Sequence, residues 1–167
     1  MICGTDKLVS TLPSVFVSQV VRNDKTHSAN AEKLVQLIEA SYPAFRKVLD
    51  LPSVVKFRLC TFKGRVKGQY QNDTKTIAIH VSKVPWNETS AFRYMLTIAH
   101  EMIHAQQFHS GILQHVKTRK GYRLAWNGDI GTKGTTRSAY LNQPWEKEAF
   151  GRQKEIANKV FNVLSNS

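Results

Sequence analysis

The stretch that decides the fold of this chain runs from Phe92 to Phe108 and reads Phe-Arg-Tyr-Met-Leu-Thr-Ile-Ala-His-Glu-Met-Ile-His-Ala-Gln-Gln-Phe. Apolar residues cover nearly every angular sector of a helix drawn over it, and a helix that is apolar all round is a buried one. His100, Glu101 and His104 then lie in the core. Burial of such groups is costly unless they are paired or bind a metal.

The spacing of these three residues fits a metal-binding helix. His100 and His104 are four residues apart, so they lie on one face and can offer two imidazole nitrogens to one ion. Glu101 projects about 100° further round the axis, where it could reach a water on that ion without being a ligand. This is the HExxH pattern of zinc peptidases. Two ordinary helical histidines are the alternative, and the apolar surroundings argue against it.

A third ligand is expected, because catalytic zinc takes three protein ligands and keeps one position open. The last helix, predicted over 144–165, begins at a proline and contains Glu146 and Glu148. Glu146 falls in the apolar, core-facing stripe of this helix, whereas Glu148 falls on its solvated face. We predict Glu146 as the ligand, with Glu148, His109 and His115 as alternatives.

Length, composition and charge indicate a single domain with a basic surface. The chain has 167 residues, of which 41% are hydrophobic, enough for one core. Its formal net charge of +12 favours polyanionic neighbours such as nucleic acid or an acidic protein. A basic surface without a particular partner is the alternative.

The cysteines and the amino terminus bear on location. Cys3 and Cys60 do not form a C-x-x-C pair, which fits a reducing compartment. Residues 1–21 lack an uninterrupted apolar core, so we expect neither a signal peptide nor a membrane span. The expected location is cytoplasmic, which for a viral protein means the host cytoplasm or the virion.

The remaining pattern predicts an α+β domain over 1–167. The N-terminal helix is expected to break at Tyr42-Pro43, and Asn87 or Thr89 can cap the active-site helix. The predicted parts are an N-terminal arm with helices at 1–50, a small antiparallel sheet at 54–82, the active-site helix at 88–109, a polar hairpin or loop at 117–142 and the C-terminal helix at 144–165.

Two motifs occur in order in this chain: HExxH at His100–His104 and, some forty residues later, Pro-Trp-Glu-Lys-Glu-Ala from Pro144. In this order they resemble the motifs of the zincin metallopeptidases of the gluzincin type. The chain is most similar to small metallopeptidases of phages and bacteria that end in a P-W-E-x-E-A helix. The match covers roughly residues 68–155. SprT-like proteases, which act at DNA, share the opening His-Glu-Met-Ile-His-Ala but use a later third histidine.

The resemblance implies a zincin-like fold in which His100, His104 and Glu146 bind Zn²⁺ and Glu101 is the catalytic base. Gluzincins often place an aspartate after the alanine to orient a ligand histidine, and here that position is Phe150.

The resemblance also concerns how substrate is bound. It implies that the strand Thr76–Val81 forms the sheet edge along which a protein or peptide substrate lies. It further implies an oxyanion donor between the two helices. Tyr140, Tyr122 and His115 are the candidates, and we predict Tyr140. The alternative is that a tyrosine beside Pro144-Trp145 only packs, since its ring buries well.

Basic residues form two groups in the sequence. Lys63, Arg65 and Lys67 alternate, which predicts that they share one face of a strand. The second group follows the active-site helix and comprises Lys117, Arg119, Lys120 and Arg123. Together they could bind a nucleic-acid backbone, or they form a solvated face.

Two function classes follow. The first is a zinc metallopeptidase that hydrolyses peptide bonds by a zinc-bound water activated by Glu101. The second is a non-catalytic, zinc-stabilised protein, either nucleic-acid-associated or a phage structural component, that retains the zincin fold. Glu101 favours the enzyme, because a structural zinc site needs no base and closes its fourth position.

Overall fold

Five helices and seven strands make up the part of the chain that the computed structural model describes, residues 12–52, 54–131 and 136–166. They form one α+β domain with two small sheets, which confirms the predicted class. Cys3 and the start of the predicted N-terminal arm lie outside these ranges. The elements are β1 (Val15–Val17), α1 (Gln19–Arg22), α2 (Lys25–Val48), β2 (Lys56–Cys60), β3 (Gly68–Gln71), β4 (Thr76–His80), α3 (Glu88–His109), β5 (Leu113–Thr118), β6 (Gly121–Trp126), β7 (Asp129–Ile130), α4 (Arg137–Leu141) and α5 (Pro144–Ser165).

The larger sheet is mixed, so the prediction of an antiparallel sheet is wrong. In the spatial order β1-β2-β4-β3, β2 is parallel to β1 and to β4, and β3 alone is antiparallel to its neighbour. The helices α1 and α2 connect β1 to β2, and a helical crossover returns the chain to start a parallel strand. The prediction that Thr76–Val81 forms the edge is also wrong, because β3 pairs with the outer side of β4.

The helix α2 continues through Pro43, so the predicted break at Tyr42-Pro43 does not occur. Proline inside a helix removes one backbone hydrogen bond and costs about 3 kcal/mol. The flanking side chains of Tyr42 and Phe45 are fully buried in the core. Tertiary packing on both sides of Pro43 therefore outweighs the local cost.

The helix α3 packs between the larger sheet and α5. Asn87 caps it: the Asn87 side chain accepts from the Ser90 N–H and the Ser90 hydroxyl accepts from the Asn87 N–H, each at 2.8 Å. The side chains of Ile98, Met102 and Ile103 are buried in the core. This confirms that Asn87 is the cap and that the helix is buried over most of its surface.

The second sheet, β5-β6-β7, is antiparallel and follows α3 directly. It starts at Leu113, before the predicted bound of 117. The end of the predicted hairpin region is instead helical, because Thr136 caps α4 by accepting from the Ala139 N–H. Within the described residues, no helix combines the length and the apolar character needed to span a bilayer.

A buried hydrogen bond joins α2 to the residue before β2. The Tyr42 hydroxyl accepts from the Val55 N–H at 2.7 Å. We expect Tyr42→Phe to lower the free energy of unfolding by about 1–3 kcal/mol, because a buried N–H loses its partner. Urea denaturation measures the change. Tyr122→Phe, on an exposed side chain, is the control and should change stability by less than about 0.5 kcal/mol. Equal effects of the two substitutions would contradict the role of this bond.

Candidate metal centre

The packing of α3 against α5 brings His100, His104 and Glu146 together in the core. The two imidazole Nε2 atoms are 3.1 Å apart. The Glu146 Oε2 atom lies 3.2 Å from Nε2 of His100, and Oε1 lies 3.4 Å from Nε2 of His104. All three residues are at most 8% exposed. They form a group of side chains with the spacing of metal ligands.

Two glutamines orient the imidazoles. The Nδ1 atom of His100 lies 3.1 Å from Oε1 of Gln153, and Nδ1 of His104 lies 2.8 Å from Oε1 of Gln107. An amide oxygen only accepts, so each Nδ1 carries a proton, and the Nε2 of a neutral imidazole then offers its lone pair to an ion at the centre. The Gln107 amide nitrogen donates to the Trp145 carbonyl and to Glu148, both at 3.0 Å, which holds its oxygen toward His104.

The geometry of this group fits a zinc ion. Tetrahedral ligands with bonds of about 2.0–2.1 Å are about 3.3 Å from one another, close to the three separations above. The Oε2 atom of Glu146 is buried and has no hydrogen-bond partner among the described residues. Two neutral imidazoles that present their lone pairs to a carboxylate in the core repel it unless a proton or a metal ion lies between them. Two nitrogen donors and one oxygen donor are typical of catalytic zinc.

The charges of the group are strongly coupled. Burial alone would raise the pKa of Glu146, but the facing imidazoles of His100 and His104 and the Tyr140 hydroxyl lower it to about 2. Burial would also lower the pKa of His104, but the carboxylates of Glu146 and Glu101 outweigh burial and raise it. Glu146 is therefore ionised in this group.

Glu101 lies beside the group on α3 and is buried. Burial raises the pKa of its carboxyl, and the imidazoles of His104 and His100 oppose that effect. The Tyr70 N–H donates to this carboxylate. A Cβ atom at Gly68 would come within 2.8 Å of the Glu101 Oε1 atom. The strand β3 therefore fixes the position of Glu101 in two ways: the Tyr70 N–H donates to its carboxylate, and Gly68 leaves room for its side chain.

Tyr140 reaches the same group from α4. Its hydroxyl hydrogen-bonds to the Glu146 carboxylate, and its pKa is raised by burial, by this bond and by the charges of Glu146 and Glu101. The other two oxyanion candidates lie elsewhere. Tyr122 is exposed on β6, and His115 stacks on the ring of Phe108.

A cavity of about 650 Å³ opens onto the centre. His100, Glu101 and Tyr140 line it, together with residues that precede and begin β3, residues of the first half of α3, and Phe150 and Gln153 of α5. Of the three residues of the group, His100 lines the cavity, and the candidate base Glu101 lines it as well.

The free edge of β3 borders this cavity. The His80 N–H donates to the Lys67 carbonyl at 2.9 Å, and Gly68 is opposite Ile79. Because hydrogen-bonded and non-bonded pairs alternate in an antiparallel ladder, the N–H and C=O of Gly68 and Tyr70 point away from β4. The Tyr70 N–H meets Glu101, and the Gly68 groups face the open side.

The other third-ligand candidates are not near the centre. His109 is exposed at the end of α3, and His115 is exposed on β5. Glu148 accepts from Arg152 at 2.6 Å and from Gln107. Phe150 packs its ring on His100, with ring centroids 4.5 Å apart, so a neighbouring side chain, Gln153, takes over the orienting role.

Sequence reasoning missed Gln107, Gln153 and Gly68. The two glutamines could have been found, since Gln107 is three residues after His104 and Gln153 is seven after Glu146, each on the same helical face. Nothing in the sequence marks Gly68, because its role depends on the pairing of β3.

The first basic group does not share a strand face, so that prediction is wrong. Lys63, Arg65 and Lys67 lie in the turn before β3, where Gly64 has a φ of +79°. Of these three residues, Arg65 and Lys67 line the cavity. The second group lies on β5, β6 and the turn between them, and the Arg123 side chain donates to the Gly131 carbonyl.

Two short motifs thus form one site: HExxH in α3 supplies His100 and His104, and the start of α5 supplies Glu146. They come together by the packing of two helices that are far apart in sequence. Compared with protein-family models, curated proteins and solved structures, the chain matches none of them.

Proposed function

We propose that this protein is a zinc-dependent metallopeptidase with a zincin-like fold. The observation that supports this most is that Glu101, His100 of the candidate metal group, and Gly68 on the edge strand β3 all line one cavity. A base, a metal and a strand edge for an extended peptide are the parts that metal-assisted peptide hydrolysis needs.

His100, His104 and Glu146 would hold the ion, with their outer atoms fixed by Gln153, Gln107 and Tyr140. A bound zinc ion supplies Lewis-acid chemistry: it polarises a carbonyl and makes water a usable nucleophile near neutral pH. Three protein ligands leave the fourth position for substrate, whereas a structural zinc site closes all four. The cavity beside His100 supports the open arrangement over the non-catalytic alternative.

Glu101 would move the protons. Its carboxylate takes a proton from the attacking water as the water oxygen bonds to the carbonyl carbon. It then gives that proton to the amide nitrogen as the C–N bond breaks, so that a carboxylic acid and an amine are released. Burial raises the pKa of Glu101 toward the working pH, which suits a group that both accepts and donates.

Tyr140 and β3 would bind the substrate. The Tyr140 hydroxyl reaches the Glu146 carboxylate at the cavity wall and can donate to an oxyanion that develops there. The N–H and C=O of Gly68 can pair with one residue of an extended peptide. Such pairing would hold the scissile carbonyl near Glu101, because Gly68 is in close contact with that side chain.

Three predictions test the proposed function, and the first concerns Glu101. Wild type and Glu101→Gln should each bind one zinc ion by elemental analysis, and only the wild type should cleave a denatured protein mixture. Loss of a general base lowers the rate by about 10²–10⁴-fold. Zinc in both proteins with cleavage by neither would favour the non-catalytic alternative. Absence of zinc from both would contradict the site itself.

A second prediction separates the two carboxylates of α5. Glu146→Gln removes a charged ligand and should weaken zinc binding by more than about 100-fold, beyond the 10–100-fold cost of losing an outer partner. Glu148→Gln should weaken zinc binding less than Glu146→Gln does, because Glu148 contacts Gln107 and not the ion. Competition with a chromogenic chelator measures both. Equal losses, or a larger loss for Glu148→Gln, would rule out Glu146 as the ligand.

A third prediction tests the contact between β3 and Glu101. Gly68→Ala should displace the Glu101 carboxylate, leave zinc content unchanged and lower kcat/KM by about 10–100-fold, since small misplacements have effects of that size. Gly151→Ala is the matched control, because its Cβ meets no atom within 4 Å. If both variants kept wild-type activity, Gly68 would have no part in positioning the base.

A further inference from the structure

The cavity in front of the candidate metal centre has a cationic wall. Arg65, Lys67, Arg93 and Arg137 line it, all with exposed side chains. Among the described lining residues, Glu101 is the one carboxylate. The salt bridges of the described residues include none of these four cations. No carboxylate of the described residues therefore neutralises these four side chains, and they can pair with the negative groups of a ligand.

This wall concentrates part of the excess charge of the chain at one place. A cleft lined by charges of one sign focuses the field and attracts ligands of the opposite sign. The positive charge also acts on His80, which lines the cavity. Burial lowers the pKa of His80, and the charge of Lys67 lowers this pKa further. A ligand with negative charge is thus favoured over a neutral or cationic one.

The cations lie within a few residues of the reacting bond. Arg93 precedes Glu101 by eight residues on α3, about 12 Å at the helical rise of 1.5 Å. Lys67 and Arg65 precede Gly68 by one and three residues in the turn that leads into β3, so their Cα atoms are at most about 4 and 11 Å from that of Gly68. An extended peptide advances by about 3.3 Å per residue, so its side chains pass these cations one to four residues from the bond beside Glu101.

The wall fits a peptide better than a nucleic acid. The free edge at Gly68 presents both an N–H and a C=O, which a peptide backbone complements with its own acceptor and donor. A phosphate backbone has acceptors only and cannot satisfy the C=O. The cationic side chains beside this edge then meet the side chains of the peptide.

We infer that the substrates are proteins or peptides with Asp or Glu within four residues of the cleaved bond, recognised by Arg65, Lys67, Arg93 and Arg137. This inference rests on the proposed peptidase function. Each cation contributes an ion pair to an acidic substrate side chain, which lowers KM and sets the choice of bond.

Cleavage-site mapping tests the preference. A denatured protein mixture is digested with the zinc-loaded wild type, and the cleaved bonds are identified by mass spectrometry. Asp and Glu should be enriched within four residues of the bond relative to their abundance in the mixture. Cleavage without such enrichment, or with enrichment of Lys and Arg, overturns the inference and leaves the peptidase function standing.

Binding provides a readout that needs no hydrolysis. Fluorescein-labelled peptides of Ala and Glu, and matched peptides of Ala and Gln, are titrated with Glu101→Gln protein and followed by anisotropy. The Glu peptide should bind more tightly, and Arg65→Gln/Arg93→Gln should weaken it by about fivefold, equivalent to about 1 kcal/mol for two solvent-exposed ion pairs. Lys33→Gln/Lys56→Gln removes two exposed charges away from the cavity and is the control.

The outcomes separate the two proposals. Suppose that the Glu peptide binds more tightly, that only Arg65→Gln/Arg93→Gln loses this preference, and that no protein is cleaved. This result would support an acidic ligand and contradict the peptidase function. Equal losses in both double variants would mean that net charge alone attracts the peptide, which overturns the inference. The inference is also overturned if Arg65→Gln/Arg93→Gln weakens binding of a labelled single-stranded oligonucleotide but not of the Glu peptide.

Discussion

The structure depends on the burial of two imidazoles and one carboxylate between α3 and α5. In a core, these three groups are costly unless something offsets the loss of water. The outer nitrogens of the histidines donate to the amide oxygens of Gln153 and Gln107, which turns the inner nitrogens toward Glu146. When both imidazoles are neutral, the inner atoms are all electron-pair donors. A cation between them relieves their repulsion. The burial of these three groups, which is costly for the fold, therefore also defines the proposed metal site.

The sheet and the helix α3 meet at this site through β3. Because β3 is the antiparallel edge strand, the Tyr70 N–H points outward and reaches Glu101. Gly68 allows α3 to approach closely, since a side chain there would overlap Glu101 and Thr97. The proposed base is thus held by the sheet while the proposed ligands are held by two helices. A peptide that paired with the edge would contact both parts.

Helical periodicity predicted which residues of α3 and α5 come together, whereas the strand patterns did not predict how the strands pair. The four-residue spacing of His100 and His104, and the apolar stripe that contains Glu146, depend only on local helix geometry. The direction of β2 and the edge position of β3 depend on which strands pair, and period-two patterns are the same in parallel and antiparallel sheets. The continuity of α2 through Pro43 is a tertiary effect as well, because it depends on the burial of Tyr42 and Phe45.

The central claim is that two histidines and Glu146 bind zinc, and X-ray absorption at the zinc edge tests it most directly. For the zinc-loaded protein we expect two imidazole nitrogens and carboxylate or water oxygen, all at about 2.0–2.1 Å, with no sulfur at about 2.3 Å. Glu146→Gln should change the oxygen contribution and leave the imidazole signal. A zinc shell with sulfur, or with no imidazole scattering, would contradict the account.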